Sequence, residues 1–401
     1  MHVLFVHRNF PAQFGHIAKF LTDKHNVRCT FISEKPPGKE GNFERIQYQP
    51  AGGARQQTHP SSRTFENQIW HTQAIFDQLR KRPDVKPDLI VGHSGFASTL
   101  FLRELYDCPI INYFEYFYRT RQSDMDFRSD LPGPSVEAML RARARNAMLL
   151  LDLENCDAGY SPTNWQRERL PQEFQHKLST IFDGIDEHVW QPAASPQHKV
   201  GTWEIPTDKR VVTYVSRGME SMRGFDIFMR VAKRLCELRD DVVFYVVGED
   251  RVAYGGDLRF TDGKSFKQWV LSQDDYDLSR ILFTGRISGQ DLANLFTVSD
   301  LHIYLTAPFV LSWSLMDALA CEATVLASDT APVREMVQHG HNGLLADFFD
   351  VDSFVEQANQ VLDDPKAFAG LGKSARQGIL DNYTLDKCLT RMLELYQKVC
   401  G

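Results

Sequence analysis

Two arginines close to one another in sequence follow an apolar run, in Val215-Ser-Arg-Gly-Met-Glu-Ser-Met-Arg-Gly-Phe225. Arg217 comes directly after the strand-like run, and Arg223 stands just before a helix-like one. Each guanidinium carries forked donors and a permanent charge, so two converging on one place suit a diphosphate. Gly218 and Gly224 permit a tight loop. The same pair would also fit two solvated loop arginines. A second anion-binding signal lies in Leu305 to Asp329, LTAPFVLSWSLMDALACEATVLASD. A strand-like run empties into a loop at Ala307-Pro308, and a helix-like run follows from Ser312 to Cys321. Ser312 is the expected N-cap, and the backbone N–H groups of such a helix start attract anions.

Other strand ends carry polar or glycine signals. Val246-Val247-Gly248-Glu249-Asp250 runs from strand into glycine and acid. A glycine there either gives a ligand room or makes an ordinary turn. Phe283-Thr-Gly-Arg-Ile287 is the same kind of signal, with Gly285 and Arg286 ending a strand where a nucleotide base would fit. His93 closes the run Leu89–Val91 in GHSG. A neutral imidazole there would hydrogen-bond a hydroxyl, or be satisfied by backbone. His7 and His16 are lesser candidates. Tyr113-Phe-Glu-Tyr-Phe-Tyr118 is an aromatic cluster around Glu115, read as core or as a stacking face. Arg141 and Arg145 share a helix face, with Arg143 off it, which fits a solvated face or an anionic contact.

Several chemistries find no motif. There is no GxSxG, no HExxH, no P-loop lysine and no DxD at a strand end. No metal ligands are expected. The formal net charge of -7 argues against a general nucleic-acid binder, which needs a basic face. Seven scattered cysteines without a CxxC pair suggest buried thiols rather than disulfides or zinc. No run approaches the roughly 18 apolar residues of a membrane span, so a cytoplasmic location is expected.

The elements that must position these residues alternate along the chain. Near-continuous apolar strands are expected at Val3–Val6, Val27–Ile32, Leu89–Val91, Ile110–Tyr113 and Ala158–Tyr160. Helical patterns lie at Gly15–Thr22, Phe65–Leu79, Ala97–Leu105 and Val136–Leu151. Pro192, Pro196 and Pro206 interrupt the series in a linker-like segment, and Gly38–Pro60 reads as loop. Alternation restarts with strands at Val211–Val215, Val242–Val247, Ile281–Thr284, Leu301–Leu305 and Val325–Ala327. Arg251–Asp275 reads as a polar insertion. Strands apolar on both faces belong in parallel sheets covered by helices, which makes the fold class α/β with two doubly wound domains. The expected boundaries are 1–190, a linker at 191–208, 209–380, and a terminal helix at 381–401 packing back toward the N-terminal domain.

Taken in order and spacing, these motifs resemble the family-4 retaining glycosyltransferases of GT-B fold (glycosyl transferases group 1). The resemblance covers nearly the whole chain and is strongest over Val211–Asp347. The family's Arg–x5–Lys pair falls on Arg217 and Arg223. Its helix "EAMACGxPVVAS" falls on Asp317 to Ser328, and its "xxEhhxxGxxGhL" pattern on Pro332-Val-Arg-Glu-Met-Val337 and Gly340 to Leu345. Ser161 to Trp165 and Asp183-Gly-Ile-Asp186 match signatures that flank the domain crossing. Of the family's E-x7-E, the second glutamate, which holds the nucleotide ribose, is Asp317, still an acceptor-only carboxylate. The first, near the donor sugar, is Phe309, which cannot replace it. Glu322 and Thr324 stand where the family has Gly and Pro.

The resemblance implies two Rossmann-like domains facing across a cleft, and a retaining, metal-independent transfer of a sugar from a nucleotide-diphosphate sugar to an acceptor hydroxyl, in glycan or glycolipid synthesis. It implies catalytic roles for His93, Arg217 and Arg223. It implies donor contacts at Gly15, Gly248, Glu249, Arg286, Ile287, Phe309, Val310, Leu311, Ser312 and Asp317. No cofactor is implied beyond the nucleotide sugar as substrate. The implied partner is a glycan or lipid-linked acceptor, with peripheral contact at a membrane face and no nucleic acid. A non-catalytic sugar-nucleotide binder and a nucleotide-sugar epimerase are the alternatives.

Overall fold

The computed structural model describes residues 1–401 and divides into two compact units. Unit 1 holds Met1–Arg121, Ser135–Gly184 and Leu385–Gly401; unit 2 holds Gln122–Pro134 and Ile185–Thr384.

Unit 1 is built on an eight-stranded sheet: β1 His2–Val6, β2 Arg28–Ser33, β3 Gly38–Glu40, β4 Phe43–Gln47, β5 Leu89–Ser94, β6 Ile110–Phe114, β7 Ala158–Ser161 and β8 Leu178–Thr180. The order is β3-β4-β2-β1-β5-β6-β7-β8, parallel except for the edge pair of β3 with β4. Side chains alternate across a strand. Val3 and Phe5 therefore enter one core, with Ile17, Leu21, Leu389 and Tyr396, while Leu4 and Val6 enter another, with Ile75, Leu79 and Leu153. Burial on both faces explains why these runs read as continuously apolar. The terminal helix Leu385–Cys400 belongs to unit 1, where Leu389, Met392 and Tyr396 pack against the β1 face.

Unit 2 carries a hairpin, β9 Lys199–Val200 and β10 Trp203–Glu204, and a six-stranded parallel sheet. Its strands are β11 Arg210–Gly218, β12 Val242–Glu249, β13 Ile281–Gly285, β14 Leu301–Tyr304, β15 Val325–Ser328 and β16 Leu344–Ala346. The order β13-β12-β11-β14-β15-β16 reverses direction between β11 and β14. In open α/β sheets that reversal leaves a crevice at the strands' carboxyl ends, where ligands bind.

Four regions differ from the sequence reading. The linker-like segment is part of unit 2's core: Val200 and Ile205 pack with Val211, Tyr245 and Leu295, and the Tyr245 hydroxyl donates to the Glu204 carbonyl at 2.7 Å. Gly38–Pro60, expected as loop, supplies β3 and β4. Of the helical pattern at Ala97–Leu105, only the 3-10 stretch Leu100–Glu104 forms. Gln122–Pro134 belongs to unit 2 although unit 1 elements flank it in sequence. All seven cysteines are free thiols, six of them buried. No helix is long and apolar enough to cross a membrane.

Candidate functional site

At the reversal point of unit 2, β11 ends with Arg217 exposed beside its neighbour strand. Gly248, near the end of β12, has φ 144°, and a Cβ there would lie 2.0 Å from the Ser216 carbonyl oxygen. The neighbouring strand alone therefore demands glycine. After β11 the chain forms a one-turn 3-10 helix, Ser221–Arg223, and Gly224 (φ 61°) leads into helix Phe225–Leu238.

This turn is clamped from several sides. Asp257 accepts from the Ser221 N–H at 2.8 Å and from its hydroxyl at 2.5 Å. Arg128 donates to the Ser221 carbonyl at 2.7 Å and pairs with the buried Asp226 at 2.6 Å and, toward solvent, with Asp130 at 2.8 Å. The Tyr214 hydroxyl donates to the Arg223 carbonyl at 2.8 Å.

The turn aims Arg223 at the loop after β14. Its guanidinium is buried, donating to Thr306 Oγ1 at 2.7 Å and to the Val310 carbonyl at 3.1 Å. A guanidinium has five N–H donors, so protein acceptors do not exhaust it. Over it lie two rings: Phe309, its centroid 5.7 Å from Cζ, and Tyr254, 5.5 Å away. The Tyr254 ring also faces Arg217 at 6.0 Å, and its hydroxyl accepts from Arg217 Nη1 at 3.3 Å. The structure thus brings Arg217, Arg223, Phe309 and Val310 together.

Helix Trp313–Ala320 follows. Ser312 occupies its N-cap position, but its hydroxyl pairs with Ser314 Oγ at 2.9 Å instead of capping a backbone N–H. The Ser312 N–H is already taken by the Tyr304 hydroxyl at 2.9 Å. The expected side-chain cap is therefore absent: the two serines satisfy each other across the first turn. Ser314 Oγ reaches the Val215 carbonyl at 3.5 Å, tying the helix start to β11. Leu311 is buried. Asp317, on the same helix, is buried too, and its carboxyl is pushed well above its ordinary range by desolvation alone. A buried carboxylate without an offsetting cation or donor is an acceptor awaiting a hydroxyl or a proton.

Glu249 lies beside the Arg217 loop, where its carbonyl accepts from the Met219 N–H at 3.2 Å. Glu249 is exposed and pairs with Arg251 at 2.9 Å. Arg286 is exposed just after Gly285 (φ 70°), and Ile287 packs beside Val215 against the Val211–Leu295 core. In unit 1, Gly15 opens helix Gly15–His25 with ordinary helical geometry. His93, at the end of β5, is fully buried against the rings of His7, Phe96 and Tyr113. Burial pushes it down to about 3 and His7 to about 4, so both are neutral imidazoles. His93 Nδ1 meets the Ser94 carbonyl at 3.1 Å, while Nε2 has no hydrogen-bond partner and points to within 4.0 Å of Glu115. The Tyr113 hydroxyl donates to Asp183 at 3.3 Å, and burial, helped by Glu115, pushes that carboxyl up to about 7.

Residues 25–189 match the model of the glycosyl transferase family 4 group, and residues 198–378 match that of the glycosyl transferases group 1. The chain belongs to the group 1 glycosyltransferases. Among their curated members it is 24% identical over 223 residues to the N-acetyl-alpha-D-glucosaminyl L-malate synthase of Bacillus anthracis, a match over 55% of this chain and 54% of that one. The chain thus spans about half the length of that relative. It is 21% identical over 360 residues to the GDP-mannose-dependent alpha-mannosyltransferase of Corynebacterium glutamicum, covering 85% and 80% of the two chains. Its backbone follows the sucrose-phosphate synthase of Thermosynechococcus elongatus with a TM-score of 0.75 at 17% identity, over 99% and 98% of the two chains. That likeness shows the GT-B fold.

Within this group 1 glycosyltransferase the sequence reading missed three residues. Tyr254 sits in the polar stretch taken as an insertion. Glu220, between the two arginines, turns one carboxylate oxygen onto three successive N–H groups, of Ala253, Tyr254 and Gly255, at 2.9–3.0 Å. Arg128 reaches the turn from a segment distant in sequence. A lone tyrosine in a glycine-rich stretch carries no periodic signal, and a long-range ion pair carries none at all. The acidic residue inside the Arg217–Arg223 loop was the one available clue.

Proposed function

We propose that the protein is a retaining glycosyltransferase that moves a sugar from a nucleotide-diphosphate sugar to an acceptor hydroxyl. One observation carries the reading: two guanidinium groups gathered at the point where the unit 2 sheet reverses, with donors to spare on Arg223. Arg217 and Arg223 hold the donor diphosphate and stabilise the charge it gains on leaving. These permanent cations take the place a metal ion would have, and no cofactor is required. Asp317 accepts from the ribose hydroxyls, which would offset the desolvation of its carboxylate. Gly248, Glu249, Arg286 and Ile287 form the nucleotide side, and Phe309, Val310, Leu311 and Ser312 the sugar side. For unit 1 the same reading gives the neutral His93 a hydrogen bond to a hydroxyl and Gly15 a donor contact. The leaving phosphate oxygen takes the acceptor's proton, so no strong protein base is needed.

A glycan or lipid-linked acceptor, a cytoplasmic site of action and peripheral membrane contact belong to the same reading. The Phe309 ring at the sugar side favours one second reading, a sugar-nucleotide binder without transfer. A panel of UDP-, GDP- and ADP-sugars with varied acceptors, followed by mass spectrometry, separates the two. Nucleotide release with a glycosylated product is expected; saturable donor binding with no release on any acceptor would replace the enzyme with the binder.

A further inference from the structure

Arg217 and Arg223 carry like charges and serve one anion, so something must hold them side by side while the site is empty. The geometry points to Tyr254 and Phe309: we propose that these two rings form an aromatic support for the diphosphate clamp, with Tyr254 the shared surface on which both guanidinium groups rest. The proposal rests on the reading of Arg217 and Arg223 as diphosphate ligands, adds Tyr254 to it, and gives Phe309 a second role beside the sugar.

Three observations combine. Both guanidinium carbons lie within 6.0 Å of the Tyr254 centroid, inside the range in which a cation is attracted to a ring face. Tyr254 and Phe309 are themselves 5.4 Å apart at 52°, so Arg223 meets a two-ring surface. Tyr254 is held there although 45% exposed, because Glu220 fixes the backbone of residues 253–255 with three hydrogen bonds. Glu220 is buried and its other oxygen has no partner, so the carboxylate is committed to this turn rather than to either arginine. One loop thus carries both cations and the acid that anchors their support.

This arrangement also joins two departures from the family pattern. Arginine stands where the family has lysine, and Phe309 where it has glutamate. A planar guanidinium stacks on a ring face and still presents its edge donors, which a lysine ammonium does not do. A glutamate at 309 would instead pair with residue 223 and draw its charge from the anion. Arg223 and Phe309 are therefore a matched exchange, in which a cation–ring contact replaces pairing.

The test is calorimetric titration with UDP, GDP and ADP, beside donor and acceptor KM values, with thermal melting to confirm folding. Tyr254→Leu should weaken nucleoside diphosphate binding about tenfold and raise donor KM in step, leaving acceptor KM unchanged. Tyr254→Phe, which keeps the ring, should stay within about threefold of the parent. In a double-mutant cycle, Arg223→Lys and Phe309→Glu should each cost about tenfold, and the double variant should bind better than the product of the two losses predicts. Strict additivity, or parent-like binding by Tyr254→Leu, overturns the aromatic support. If Arg217→Ala and Arg223→Ala bind nucleoside diphosphates as the parent does, the diphosphate reading itself has failed. If these two lose binding while Tyr254→Leu keeps it, only the support has failed.

Discussion

Each unit has one place where its sheet order reverses, and the two places are furnished in opposite ways. In unit 1 the reversal lies between β1 and β5, and the residues there are His7 and His93, ring to ring at 5.1 Å. Both are buried and held neutral by desolvation. In unit 2 the reversal lies between β11 and β14, and the residues are Arg217 and Arg223, which cannot lose their charge. The topology supplies a crevice in both units. What the crevice takes is decided by side chains: neutral nitrogens suit hydroxyls, and permanent cations suit a diphosphate. The flanking aromatics differ to match. Phe96 and Tyr113 bury imidazoles, whereas Tyr254 and Phe309 face Arg223, whose guanidinium still has donors to offer.

The contrast breaks most visibly at Arg223. Arg223→Ala removes two charge-assisted contacts and the clamp's buried cation, and nucleoside diphosphate affinity should fall by about a hundredfold or more. His93→Ala should leave that affinity unchanged and lower transfer alone; calorimetry beside turnover measurement checks both. Equal losses of nucleotide affinity in the two variants would erase the distinction between the units.

Next in size come two effects on stability. At Asp183 the carboxyl is raised from 3.8 to about 7 by burial. Such a group contributes fully to stability below pH 3.8, and the contribution is lost as pH rises through about 7. Asp183→Asn should therefore flatten urea-unfolding stability between pH 4 and 7 and raise it at pH 7 by roughly 2 kcal/mol or more. An unchanged slope would show that Asp183 titrates normally. In unit 2, Gly248→Ala forces a Cβ against the Ser216 carbonyl and should cost roughly 2–3 kcal/mol in the same assay.

A smaller effect concerns Asp317, whose carboxyl is likewise pushed up by burial. Asp317→Asn should stabilise the fold at pH 7 while weakening nucleoside diphosphate binding several-fold, a trade-off read by thermal melting and calorimetry. Gain of stability without loss of binding would remove Asp317 from the ribose role. Smallest is the pH profile of transfer, which should show no inflection near 6.5 from His93, because that ring stays neutral down to about 3. An inflection there that His93→Gln abolishes would contradict the buried, neutral imidazole.

Much was legible from local pattern. Runs such as Val3–Val6 and Val242–Val247 bury alternate residues on opposite sheet faces, so continuous apolarity announced parallel strands. The Arg217 and Arg223 spacing marked a loop between strand and helix. Where pattern is weak or long-range, the reading stopped. Val200 and Ile205 are two apolar residues in a proline-rich stretch, too few to reveal the hairpin they anchor. Ser312 has the residue type of a cap, yet Ser314 two positions on competes for its hydroxyl. Sequence by itself determined the two αβ series, the cationic loop and the substitution of Phe309 for a carboxylate, because each is a property of neighbouring residues. Only the tertiary structure decided that Tyr254 covers both arginines, that Glu220 anchors it, and that Arg128 braces the turn from 93 residues away. Those contacts join segments whose approach is set by how the sheet and its loops pack, and nothing local encodes them.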